Sequence, residues 1–136
     1  MNDIYSLVYV SSATRLMADG ELEAILAESR VRNNENAITG VLLAAGGNYM
    51  QMLEGPRQSL DETMVRIRRS RRHAGILELV DEPVSSREFD DWSMAFTHAE
   101  AEKFLQLRNA SWVREGDHLS AGRELLRQFW RNNARR

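Results

Sequence analysis

Asn48-Tyr49-Met50-Gln51-Met52-Leu53-Glu54-Gly55 lies between a glycine turn, Ala45-Gly46-Gly47, and Pro56. It reads as one strand of a hairpin whose partner is Ile38 to Ala44. Period-2 alternation puts Tyr49, Gln51 and Leu53 on one face and Asn48, Met50 and Met52 on the other. Gln51 is therefore an amide set among large apolar groups. An amide buried without partners costs about 1–3 kcal/mol, so a polar group is expected to meet it. Glu54, beside the turn, reads as a solvated turn residue with no second carboxylate at a working distance.

The flanking segments extend the pattern. Ile4 to Ser11 is β-rich and apolar on both faces, with Tyr5, Leu7 and Tyr9 on one side and Ile4, Val8 and Val10 on the other. Asp19 is the expected cap of a first helix carrying Leu22, Ile25 and Leu26 and ending near Arg32, where the Asn33-Asn34-Glu35-Asn36 run breaks it. A second helix over 57–70 has Leu60, Met64 and Ile67 as its inner stripe. Ile76 to Val84 and a segment within 89–97 supply two more strands.

The order βαββαββ predicts an α+β, ferredoxin-like sheet with two crossover helices on one face. Two further helices, over 99–107 and 119–130, carry Phe104, Leu107, Leu125, Leu126, Phe129 and Trp130. These groups are too many and too large to leave in water, so the pair is expected to cap the open face of the sheet or a second copy of the protein. The division expected is a domain over 1–97 and a helical cap over 98–136.

Composition narrows the function classes. The chain has 136 residues and a formal net charge of −2, with no basic stripe beyond local arginine clusters, which argues against direct nucleic-acid binding. It has no cysteine, and its three histidines, His73, His98 and His118, lack ligand spacing, which leaves no thiol chemistry and no zinc pattern. No apolar run approaches a membrane span and no signal region opens the chain, so a soluble cytoplasmic protein is expected. Nucleotide loops and hydrolase motifs are absent.

In the expected sheet the strands bearing Tyr9 and Gln51 are neighbours, and Asn33 at the end of the first helix can reach the same space. Spacing alone points first to a satisfied polar cluster that fixes the register. It names no ligand.

Several separated runs carry a resemblance. Leu7-Val8-Tyr9-Val10-Ser11, Ser29-Arg30-Val31-Arg32-Asn33, Ile38-Thr39-Gly40, Gln51-Met52-Leu53-Glu54-Gly55, Arg72-His73 and Trp92-Ser93-Met94, in that order, make residues 3–97 similar to a BLUF domain, the blue-light sensor using FAD. The resemblance implies that Tyr9 and Gln51 are the photoactive pair. It implies that Asn33 holds the polar edge of a flavin ring, with Ile25 and Ile67 on its faces. It also implies that Arg66 holds the flavin tail, that Ser70, Arg72 and His73 lie close by, and that Trp92, Ser93 and Met94 relay the signal on the fifth strand. Alternation would put Trp92 and Met94 on one face of that strand. His73 reads otherwise as a helix-end residue facing the terminal dipole.

Two positions depart from the family pattern. Arg32 stands where a polar amide or histidine is common, and Ser70 where aspartate is common. They bear on affinity and on the choice between FAD and FMN. The implied function is a non-enzymatic photoreceptor binding its flavin without a covalent bond and signalling through the fifth strand and the cap to a protein effector. A homo-oligomer is expected from the apolar cap. The competing readings are a flavin-dependent redox enzyme on the same fold and a ligand-free interaction module.

Overall fold

The computed structural model describes residues 3–15, 17–89, 92–114, 116 and 118–133. In chain order the elements are β1 (Ile4–Ala13), α1 (Glu21–Glu35), β2 (Thr39–Ala45), β3 (Asn48–Gly55), α2 (Arg57–Arg69), β4 (His73–Val84), β5 (Ala95–His98), α3 (Ala101–Asn109) and α4 (Ala121–Asn133). The strands form one sheet in the order β4-β1-β3-β2-β5. Every neighbouring pair is antiparallel except β2 and β5, which run parallel. The ferredoxin-like α+β order read from the sequence holds, with β5 added at the edge beside β2.

Strand parity sorts the side chains into two cores. Leu7, Tyr9 and Leu53 face Leu26 of α1 and Leu60 and Met64 of α2. Val8, Val10, Met50 and Met52 face the other way, onto Phe104, Leu107, Trp112, Leu126, Phe129 and Trp130. The C-terminal helices thus cap the open face of the sheet. The apolar groups on which the expectation of a second copy rested lie inside this chain's own core. No described helix is long and apolar enough to cross a membrane.

One polar anchor crosses into the cap core. Arg123 of α4 is 8% exposed; its guanidinium donates to Glu82 Oε2 at 3.0 Å and to Ser6 Oγ at 2.8 Å. Ser6 is itself fully buried in β1, an interior strand between β4 and β3. A buried cation with two such partners is satisfied, and it fixes where α4 lies across β1.

Several boundaries differ from the sequence reading. Gly20, with φ 78°, occupies the N-cap of α1 in place of Asp19 and supplies no side-chain cap. The Glu21 carboxylate instead accepts from the Ala18 N–H at 2.9 Å. At the other end α1 passes through Asn33 and stops at Asn36, whose side-chain amide donates to the Arg32 carbonyl at 2.8 Å. β4 begins at His73 rather than Ile76.

The larger correction is at Glu54. It is no turn residue in water: it is 1% exposed and lies on the cap face. Its carboxylate accepts from the backbone N–H of Glu88 at 2.5 Å, that of Phe89 at 3.0 Å and the Thr39 hydroxyl at 3.1 Å. The connection from β4 to β5 folds over it, a contact between residues 34 and 35 positions apart that no local pattern encodes. Desolvation raises the Glu54 pKa, and the three donors oppose that shift.

Candidate functional site

Between α1 and α2, on the face of the sheet that they cover, lies a cleft with a cavity volume of about 220 Å³, partly open to solvent. Its floor comes from β1, β2 and β3. Tyr9 and Gln51 are directly opposed across the β1–β3 pair, and Leu42 opposes Gln51 from β2. The Tyr9 hydroxyl donates to Gln51 Oε1. The Gln51 amide nitrogen donates in turn to the Met94 sulfur at 3.4 Å, within reach of a weak N–H to thioether bond. Tyr9 is 3% exposed, and burial pushes its phenol pKa well above the ordinary value, so it stays a protonated donor.

Asn33 closes one end. It is 4% exposed although it sits in the last turn of a helix, and its amide donates to the Ser93 carbonyl at 2.5 Å. Ile25 of α1 and Ile67 of α2 line the cleft from the two helices. His73 spans the far side: Nδ1 is 2.9 Å from Ser11 Oγ and Nε2 is 3.0 Å from the Ile67 carbonyl. It is thus the first residue of β4, and it meets the end of α2 by a direct bond to a terminal carbonyl. Its ring lies 6.3 Å from that of Tyr9.

Three guanidinium groups line the same cleft. Arg32 pairs with Glu28 at 2.8 Å, Arg66 donates to Thr63 at 3.3 Å, and Arg72 lies 3.5 Å from Glu21. Ser70 lines the cleft beside them, its hydroxyl accepting the Arg72 N–H at 3.2 Å. Among the described residues no cluster of His, Asp and Glu could hold a metal ion.

Trp92 does not share a face with Met94. Both precede β5, and the chain bends at Ser93-Met94 before the strand begins. Alternation therefore does not apply to them. Met94 is 2% exposed and packs in the cleft-side core. Trp92 packs on the cap side, stacked on Phe89 at 5.2 Å between ring centroids and tilted against Trp130 of α4 at 5.4 Å. Ser93, between them, contributes its carbonyl to Asn33.

The remaining lining includes Met17, Leu22, Leu42 and Tyr49, which the sequence reading did not select. Parity could have found two of them, since Leu42 and Tyr49 belong to the face that carries Gln51. Taken together, the cleft offers aliphatic side walls, amides and a phenol at its floor, and cations among its lining. That donor set fits a flat heteroaromatic ring with a polar edge and an anionic tail.

A family model described as sensors of blue-light using FAD, BLUF, matches residues 4–95. The chain belongs to the BLUF family. Among curated proteins, the photoactivated adenylate cyclase subunit beta of Euglena gracilis is 34% identical over 90 residues, covering 65% of this chain and 10% of that protein. The chain thus spans about a tenth of the length of the curated relatives it matches. Among solved structures, the dark state of the BLUF protein BlrB is 38% identical with a TM-score of 0.68, covering 72% of this chain and 74% of that one. Klebsiella pneumoniae BlrP1 with FMN and cyclic diGMP is 28% identical with a TM-score of 0.66, covering 91% of this chain and 30% of that one. The family is one of blue-light sensors that use FAD.

Proposed function

We propose that this chain holds FAD in the cleft between α1 and α2, uses Tyr9 and Gln51 as a light-driven switch, and reports through Trp92 and the cap to a separate effector protein. The observation that carries this reading is the chain of donors from the Tyr9 hydroxyl to Gln51 Oε1 and from Gln51 Nε2 to the Met94 sulfur. FMN is the alternative ligand, and BlrP1 is a relative described with it.

Asn33 would hold the polar edge of the ring, Ile25 and Ile67 its faces, and Arg32, Arg66 and Arg72 the anionic tail, beside Ser70 and His73. Bound there, a flavin would supply a blue-light chromophore that is a strong oxidant when excited. Tyr9 would be the electron and proton donor of the site, its hydroxyl proton already lying on the bond to Gln51 Oε1. Gln51 would be the group that exchanges its donor and acceptor ends, by rotation or by tautomerisation, because the two ends of an amide have opposite bonding character. Either change alters what the Met94 sulfur faces.

Output then passes along 92–94. The contact of Trp92 with Trp130 supports a route into the 98–136 cap, with the sensor turning over no substrate itself. In the cyclase relatives the match covers only a small share of the protein, consistent with an effector that lies outside the matched region.

The test is a dark-minus-light absorption spectrum of the flavin-loaded protein, expected to show a small reversible red shift. Gln51→Leu is expected to keep the flavin and lose the shift, and Tyr9→Phe likewise. A normal photocycle in Gln51→Leu would overturn the assignment. Steady bleaching by a nicotinamide cofactor in the dark would favour a redox enzyme.

A further inference from the structure

The 92–94 segment is tied down by three consecutive carbonyls. The Trp92 carbonyl accepts the Gly40 N–H at 2.9 Å, the Ser93 carbonyl accepts the Asn33 amide at 2.5 Å, and the Met94 carbonyl accepts Arg30 Nε at 2.9 Å. The first tie is backbone from β2 and the second comes from the cleft asparagine. The third has no part in lining the cleft. Arg30 lies on the exposed side of α1, yet its guanidinium makes a partly buried bond to a carbonyl 64 residues further along the chain. No carboxylate within the described residues forms an ion pair with it. A guanidinium bound to one backbone carbonyl makes a charge-assisted bond, stronger than a neutral one.

Met94 meets two opposed controls. Its side chain answers to Gln51, which changes with light under the reading above, and its backbone answers to Arg30, which is remote from the Tyr9–Gln51 pair. We propose that Arg30 is a positioning residue for the switch, holding the Met94 backbone from α1 so that the sulfur faces Gln51 and Trp92 faces α4 in the dark. This inference rests on the Tyr9–Gln51 reading. It adds a second grip, remote from the Tyr9–Gln51 pair and stronger in the dark arrangement, that sets how readily Met94 leaves Gln51.

The direction follows from which arrangement the bond stabilises. Removing Arg30 weakens the dark placement of Met94 relative to the lit one, so the return to the dark state loses driving force. Arg30→Ala is suited to the test because the side chain is exposed and alanine is the best helix former, so α1 keeps its fold.

The experiment uses the full flavin-loaded chain with methionine labelled at its ¹³C methyl, the Met94 signal being assigned by its loss in Met94→Leu. In Arg30→Ala the red shift is expected to form with its ordinary amplitude. Dark recovery is expected to slow by roughly three- to tenfold, the scale of losing one charged hydrogen bond in part. The Met94 methyl resonance is expected to move in the dark, and to move also in the flavin-free chain, where no photochemistry contributes. Arg30→Lys, which keeps a charged donor, is expected to fall between the parent and alanine. An unmoved Met94 signal in Arg30→Ala overturns the proposal, whatever the recovery rate. Absence of any red shift in the parent chain would instead sink the photoactive reading and leave the Arg30 bond to be judged on the flavin-free signal.

Discussion

Tyr9 shows how much a single side chain depends on its surroundings. Burial holds its phenol in the neutral form far into alkaline pH, so its proton is available to the Gln51 bond throughout the ordinary range. The same shift has a thermodynamic consequence. Because the folded-state pKa is raised, the neutral phenol's contribution is fully present below the unfolded value of about 10 and is lost as pH rises beyond it. Urea melts are therefore expected to show stability falling as pH climbs past about 10, and falling less steeply in Tyr9→Phe. Tyr49, whose pKa is also raised by desolvation and by Glu21, would still contribute in that variant. Identical slopes in the two chains would refute the burial argument.

Among the elements, α4 has a position with no room for a side chain. Gly122, in its first turn, lies against the Trp112 ring so closely that a Cβ there would overlap it. Trp112 is 5% exposed and its indole N–H is bonded to the Leu107 carbonyl at 3.0 Å, so it cannot swing aside freely. Gly122→Ala is expected to destabilise the fold by about 1–3 kcal/mol despite the better helix propensity of alanine. The check is the urea midpoint, and an unchanged or raised midpoint would contradict it. The elements also mark what the sequence could disclose. Tyr9, Gln51, Leu53 and Val8 fall on their expected faces because the β1–β3 ladder runs in unbroken register, so that parity holds residue by residue across it. Trp92 and Met94 did not, because they stand just outside β5, where the chain bends. Glu54 departs from its expected place for a different reason: two of its three donors come from a loop distant in sequence. Arg30 gave no local signal at all, since a surface arginine on a helix has no pattern that announces a distant carbonyl.

At the scale of the molecule, the sheet separates a cleft on one side from a helical cap on the other. Met94 and Trp92 reach the two sides from adjoining positions at the sheet's β5 edge. If output follows this route, hydrogen exchange in flavin-loaded protein should differ between dark and light in 92–98 and α4. Amides of β1 and β3 should keep their protection. Equal exchange in α4 under both conditions would remove the cap as the output element.

The three carbonyl ties on 92–94 lie at the entrance of β5 and include none of the β1–β3 ladder on which the central sheet depends. A lineage could therefore lengthen or shorten the memory of a light pulse by changing the helix residues that grip this segment, while the core that keeps the protein folded goes untouched. Signal duration and robustness of the fold would then be separately heritable traits.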